Sequence, residues 1–320
     1  VNSQLPSTAA RRWLVIAAVA FGAAVAVYLL AVCTETGQRL ENAALRGADE
    51  ASSRDAAQAS HALNQITVYS LGVAVVLVAL IGLLRRRIDL AVAAVGVIVG
   101  GQLVVQVLKR YLLPRPELVD VTAGYAHNSL PSGHTTIAMT VLFATVIVVP
   151  YRWRGVAMLV VLTWAVGIGH YTLTAKWHRL SDTLAADAIA LALACLVSWW
   201  LARREALGRD EGRPRILPIV LATLMSVMAL VTLILGGILW GIPLTQKGLD
   251  TATGDYAWEI YLGATAFASA GSIIAALIFL ASWRRIDSTG RIADAVPGTA
   301  RPDGRAEHRP RSPASPTPFP

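Results

Sequence analysis

Residues 131 to 134 read Pro-Ser-Gly-His, and 44 positions after that histidine stands His178, followed four residues on by Asp182. At the start of a helix, Ser132 and Gly133 would offer an oxyanion unpaired amides and a hydroxyl, and Gly133 has no Cβ to hold it away. His134 could trade a proton there. The i, i+4 spacing of His178 and Asp182 would let the carboxylate hold one ring nitrogen and leave the other free to attack an electrophile. Asp182 would then stabilise the imidazolium as it forms. Taken singly, Ser132 reads as an N-cap, His134 as an interfacial side chain, and His178 with Asp182 as an ordinary helix start. Together they describe an oxyanion cradle facing a nucleophile.

Composition decides what must position these groups. The 320 residues are 55% hydrophobic and only 15% charged, and the mean hydropathy is +0.55. Those values point to an all-α polytopic membrane bundle rather than two soluble domains. Eight apolar stretches, roughly 13–33, 66–84, 88–108, 135–151, 156–175, 182–202, 217–241 and 257–283, are long enough to cross a hydrocarbon core of about 30 Å. Sorting the 28 Lys and Arg to alternate sides puts 19 on one and 9 on the other. The richer side, with Arg11-Arg12, Arg85-Arg86-Arg87, Arg152, Arg154, Arg203-Arg204 and Arg284-Arg285, is the cytoplasmic one by the positive-inside rule, so both termini are expected inside, in a plasma membrane. The net charge of +8 then reflects anchoring. No basic stripe interleaved with aromatics lies outside the membrane flanks, so a nucleic-acid partner is not expected.

This topology places three polar segments, Lys109–Pro116, Asn128–Thr136 and Lys176–Asp182, on the same outer side, although the span assignment did not require it. Lys109, Arg110 and Arg115 run against the charge bias there, and a phosphate group is a good candidate for the anion that explains them. Gln102, Gln106 and Lys109 form a polar stripe on the third span that rises toward that side. Gly96 and Gly100 are expected to let this helix pack closely. Residues 34–65 read as a mixed-charge outer loop with one or two short amphipathic helices, a solvated cap over the bundle mouth. Residues 284–320 shift to Pro, Arg, Ser and Gly and are expected to form a disordered cytoplasmic tail after a cytoplasmic segment 1–12 at the other end. The first span is read as an uncleaved anchor, since its apolar run exceeds a signal-peptide core. Cys33 and Cys195 fall at different depths and are read as packing residues, not a disulfide.

With these motifs the chain resembles the type 2 phosphatidic acid phosphatase superfamily, whose pattern is Lys-x6-Arg-Pro, then Pro-Ser-Gly-His, then Ser-Arg-x5-His-x3-Asp. The resemblance covers about residues 13–203 and implies a six-helix phosphatase core. The two further spans in 204–283 fall outside it. By position it implies His178 as a nucleophile forming a phosphohistidine, Asp182 orienting it, and His134 protonating the leaving alcohol and then activating water. Lys109, Arg115, Ser132 and Gly133 would hold phosphate oxygens, with no metal and no other cofactor. The implied substrate is a membrane lipid phosphate, a polyprenyl diphosphate or a phosphatidate-like lipid with its headgroup in the outer leaflet.

The pattern is not complete. Five residues rather than six separate Lys109 from Arg115-Pro116, and Tyr171-Thr172 occupies the place of Ser-Arg, so one phosphate-binding arginine is missing. Lys176 or Arg179 could replace its charge. Two other functions fit the same residues: phosphotransfer to an alcohol, or a catalytically silent lipid-binding or transport protein. A soluble haloperoxidase relation is disfavoured by the eight spans. His170 and Asp187 fall inside spans and call for internal partners. His127 reads as a loop histidine near the site, and Trp258 with Glu259 as interfacial residues.

Overall fold

A computed structural model describes residues 3–4, 7–121, 127–209 and 216–288. Of the expected disordered tail 284–320, residues 289–320 lie outside the described residues, whereas 284–288 are ordered, with Ile286 and Ser288 buried.

The architecture is a helical bundle. Ten α-helices stand among the described residues: α1 (Ser7–Val27), α2 (Glu35–Gly47), α3 (Ser53–Asn64), α4 (Val68–Leu84), α5 (Ile88–Val107), α6 (Gly133–Val148), α7 (Arg154–Thr174), α8 (Leu180–Arg203), α9 (Ile216–Asp255) and α10 (Ala257–Ser282). Six helices are long and apolar enough to cross a membrane; α3 and α4 together, bent by 60°, make a seventh candidate. The remaining expected stretch, 135–151, is α6, only 16 residues long. At about 1.5 Å per residue it falls short of a full hydrocarbon core. Ser132 starts it and Pro150 follows its end. Its faces are covered by neighbouring helices along almost their whole length, whereas α1 and α9 leave most of their apolar surface outside the bundle. An apolar exterior of this kind suits lipid rather than water.

Short local signals set the helix starts. Thr34 caps α2 by accepting from the Gly37 amide at 3.0 Å, Ser52 caps α3 through the Asp55 amide, and Thr67 with Ser70 form a reciprocal capping box on α4. Two helices end in a widened turn, Tyr28–Val32 after α1 and Leu108–Leu112 after α5. Such turns often mark functional positions, and Lys109 lies in the second.

The structure corrects several expectations. Gly96 and Gly100 have open space where a Cβ would be, so neither mediates packing. The contact is made one position later, where a Cβ on Gly101 would come within 2.7 Å of Thr140 on α6. The helix predicted at 217–241 continues to Asp255, interrupted by a positive φ at Gly248, and its far end pairs with α2 through Arg39–Asp250. The outer loop is not a solvated cap. Gln38, Glu41, Ala43 and Ala44 of α2 are buried, and a Cβ on Gly47 would overlap the Ala257 carbonyl of α10.

The last two helices are packed into the bundle. Asp187 of α8, for which the sequence named no partner, accepts from the Ser272 hydroxyl of α10 at 2.9 Å. Phe143 meets Phe279 with ring centroids 4.7 Å apart, and Trp283 donates to Ser198. On the face opposite the motifs, three two-residue strands, β1 (Ser3–Gln4), β2 (Gly208–Arg209) and β3 (Ile286–Asp287), pair antiparallel in that order. Arg85, Arg87 and Arg154 secure that face by donating to Ser288. Cys33 and Cys195 are both free thiols.

Candidate active site

The three polar segments meet at one end of the bundle. Asp182, in the first turn of α8, accepts from the Arg179 amide at 2.9 Å and so caps its own helix. The same oxygen, Oδ2, lies 3.1 Å from His178 Nδ1. This contact holds the ring by one nitrogen and leaves Nε2 as its other basic atom. The turn before α8 is also fixed from behind, because the Thr172 carbonyl accepts from the amides of both Trp177 and His178.

Opposite this turn, Ser132 caps α6. Its Oγ accepts from the Thr135 amide at 3.3 Å and from the Thr135 hydroxyl at 3.1 Å. A hydroxyl has two acceptor lone pairs and one proton, so Ser132 can still donate. The space in front of Gly133 is open, with Gln106 Nε2 the nearest side-chain atom to a Cβ there, at 4.0 Å. Gln102 Nε2 lies 3.5 Å from the Gly133 carbonyl, so the polar stripe on α5 does face the start of α6. The His134 ring stands 6.1 Å from that of His178 and 5.4 Å from the indole of Trp177. Lys109 lies within electrostatic reach of both Asp182 and His134.

Arg115 is held by clamps on either side. Tyr28 donates to the Pro114 carbonyl at 2.7 Å, Gln38 donates to the Pro116 carbonyl at 2.7 Å, and Asn128 donates to the Leu113 carbonyl at 2.6 Å. Its Nη1 is 3.7 Å from Glu41 Oε2. Burial, and then the nearby Arg179 charge, lower the Arg115 pKa from its ordinary value. Glu41 Oε1 accepts from the Ser181 amide at 3.0 Å, so α2 holds both the Arg115 loop and the start of α8.

Of the two candidates for the missing charge, Arg179 is the more deeply buried. It is 4% exposed and its Nη1 donates to Ser129 Oγ at 3.1 Å. Lys176 pairs with Asp49 of the outer segment. Thr172 is fully buried, and its hydroxyl donates to the Gly169 carbonyl rather than facing the site. A cavity of about 290 Å³ opens beside His178, lined by Leu45, His127, Ser129, Lys176, Trp177 and Arg179. His127 therefore lines the cavity beside His178. His170 is not among the cavity residues; its ring meets that of Tyr171 edge-on and lies within reach of the Asp55 charge. Trp258 packs on Tyr261, their ring centroids 5.2 Å apart.

The arrangement can bind a tetrahedral dianion and attack it. Lys109, Arg115 and Arg179 bring positive charge, the α6 start brings amides, and His178 and His134 approach from two sides. The sequence missed Gln38 and Glu41, whose contacts reach 78 and 140 residues along the chain. Their only local signal was burial on one face of an amphipathic helix.

One comparison with known proteins gave a match. Residues 90–206 match the sequence model of the PAP2 superfamily, a stretch that runs from α5 to just past α8 and holds every motif residue. No curated protein and no solved structure gave a match.

Proposed function

Through residues 90–206 the chain belongs to the PAP2 superfamily, a multi-pass membrane protein of phosphatase type, and from that premise we propose that it removes the terminal phosphate of a membrane lipid. The proposed substrate is a polyprenyl diphosphate or a phosphatidate-like lipid. The observation that carries this reading is the pairing of His178 with Asp182 at 3.1 Å, with the His134 ring 6.1 Å away.

In this mechanism His178 Nε2 attacks phosphorus, an N–P bond forms and the ester or anhydride P–O bond breaks. His134 gives its proton to the departing oxygen. Asp182 stabilises the positive imidazole, while Lys109, Arg115, the Ser132 hydroxyl and the Gly133 amide hold the phosphoryl oxygens. Water then attacks phosphorus, His134 takes its proton, and the N–P bond breaks to release inorganic phosphate. The protein supplies every group in this sequence, so the proposed reaction is metal-independent. The charge distribution supports an outward-facing site with both termini in the cytoplasm, where a lipid headgroup reaches the cavity and its chain stays against the bundle.

The test is phosphate release by detergent-purified protein with EDTA present, from polyprenyl diphosphate, phosphatidate and phosphatidylglycerophosphate. Release from one of these that His178→Ala abolishes is the expected result. Failure on all three, with folded protein and with acceptor alcohols also tried, overturns the reading in favour of a binding or transport role.

A further inference from the structure

Glu41 lies outside the residues that match the family, yet it is buried at 3% exposure among the charges of the site. One oxygen is occupied by the Ser181 amide. The other, Oε2, lies 3.7 Å from Arg115 Nη1, and both Glu41 Oε2 and Arg115 Nη2 are buried without a hydrogen-bond partner. Buried polar atoms left unpaired are costly and call for an explanation. Arg115 Nη2 is a donor waiting for an acceptor, and a phosphate oxygen suits it. Glu41 Oε2 is an acceptor beside it, and a phosphate dianion brought against Arg115 would set a second negative charge next to this carboxylate, which favours its protonated form.

We propose that Glu41 is a member of the phosphate cradle: it takes up a proton as a phosphate dianion pairs with Arg115, and the resulting carboxylic acid donates a hydrogen bond to a phosphate oxygen. The proton comes from water on binding and returns to it when phosphate leaves. Burial, and then the charge of Asp182, already push the Glu41 pKa up to about 7, so proton uptake near neutral pH requires little further shift. The charged groups facing Glu41 are Arg115, and Arg179 with Asp182 at the start of α8. The other helices against α2 bring Glu259 and Tyr261 of α10, and Asp250 of α9, which pairs with Arg39. The proposal rests on the phosphatase reading for its ligand and adds to it a residue from outside the family region.

The probe is tungstate, a tetrahedral dianion that holds no proton between about pH 6.5 and about pH 8.5, titrated calorimetrically into the full chain in detergent. Its affinity for wild type is expected to fall on the order of tenfold more steeply across that range than its affinity for Glu41→Gln. In buffers of differing ionisation enthalpy, wild type should take up nearly one more proton than the variant at the alkaline end. Contributions from His134 and His178 are common to both proteins and cancel in the comparison. Equal pH dependence in the two proteins, or no tungstate binding by wild type, overturns the proposal. If Glu41→Gln fails to fold, Glu41→Asp is titrated instead. It is expected to keep the steep pH dependence while binding more weakly throughout, and a flat profile sinks the idea. Tungstate binding is read without turnover, so a negative lipid assay and a negative titration remain separate results.

Discussion

The Ser132 amide donates to the Asp182 carbonyl at 2.9 Å, which ties the start of α6 to the first turn of α8. The two motifs are 50 residues apart in sequence, and this bond makes their spacing a property of the backbone. Side chains at either position can therefore change while the frame stays.

Asp182→Asn is the sharpest use of that separation. The variant keeps the backbone carbonyl and an acceptor for the Arg179 amide, but removes the negative charge that steadies a positive His178. Loss of the corresponding charge in a Ser-His-Asp triad costs about 10⁴ in kcat, and a loss of about 10³ to 10⁴ is expected here. Thermal unfolding should change by only about 1 kcal/mol. A variant that turns over at near the wild-type rate would show that His178 does not need the carboxylate.

Arg179 carries the second prediction. Its buried guanidinium offers the charge that Thr172 does not, so Arg179→Ala should raise KM about 10- to 100-fold, in line with about 1.5–3 kcal/mol for a charged hydrogen bond. Arg179→Lys should recover only part of this, because an ammonium lacks the planar fork. Restoring the family residue by Thr172→Arg should not help. That position is fully buried between α7 and α8, with Thr183 Oγ1 at 3.5 Å, and forcing in a guanidinium should cost about 3 kcal/mol or more. An active, thermally stable Thr172→Arg protein would contradict this account.

Lys176 is the contrasting case. It pairs with Asp49, whose side chain is largely exposed, so Lys176→Ala should cost no more than about 1 kcal/mol in stability. Its effect on phosphate release should be far smaller than that of Arg179→Ala, a ranking checked by assaying the two variants side by side.

The contrast between Lys176 and Arg179 also shows where the sequence was readable. Helical periodicity and charge located the helices, and the motif order brought Lys109, Ser132, His134, His178 and Asp182 to one end, because those signals are local. Lys176 and Arg179 are set apart by the turn between α7 and α8, which contains a positive φ of 59° at Lys176 and is held by the Thr172 carbonyl, neither of which is written in the residue types. Gly96 and Gly100 looked like a packing face by spacing alone, but the surface that α6 presents falls on Gly101. Glu41 was hidden because its partners are defined only after α2 folds back against α8 and the Arg115 loop.

Glu41 should also leave a mark on stability. Its pKa is raised in the folded protein to about 7 from an ordinary 4.5, so the folded state binds the proton more tightly than the unfolded one. The sign follows: wild type is favoured at low pH, loses stability as pH rises from about 4.5 to about 7, and stays lower above that. The shift corresponds to about 3 kcal/mol at most. Melting temperature compared between pH 5 and pH 8 should therefore fall more for wild type than for Glu41→Gln. Parallel curves would mean that Glu41 titrates alike in both states.

Gly47 offers a way to disturb the site without touching it. It sits at the end of α2, where a Cβ would stand 1.9 Å from the Ala257 carbonyl and 2.8 Å from Cβ of Tyr261 on α10. Both obstacles belong to a packed helix, and the Ala257 oxygen is backbone, so α2 itself must move. Glu41 lies six residues earlier on that helix and Gln38 nine, and their contacts with Ser181 and Pro116 are 3.0 and 2.7 Å, with little slack. Gly47→Ala should cost about 1–3 kcal/mol as overpacking and lower kcat/KM about tenfold, since a misplacement of about 1 Å in a positioning element can cost more than that. Reduced turnover with unchanged thermal stability would place the defect in α2 docking alone. Full activity would show that the site tolerates a displaced α2, and that the helices of residues 90–206 position Arg115 without it.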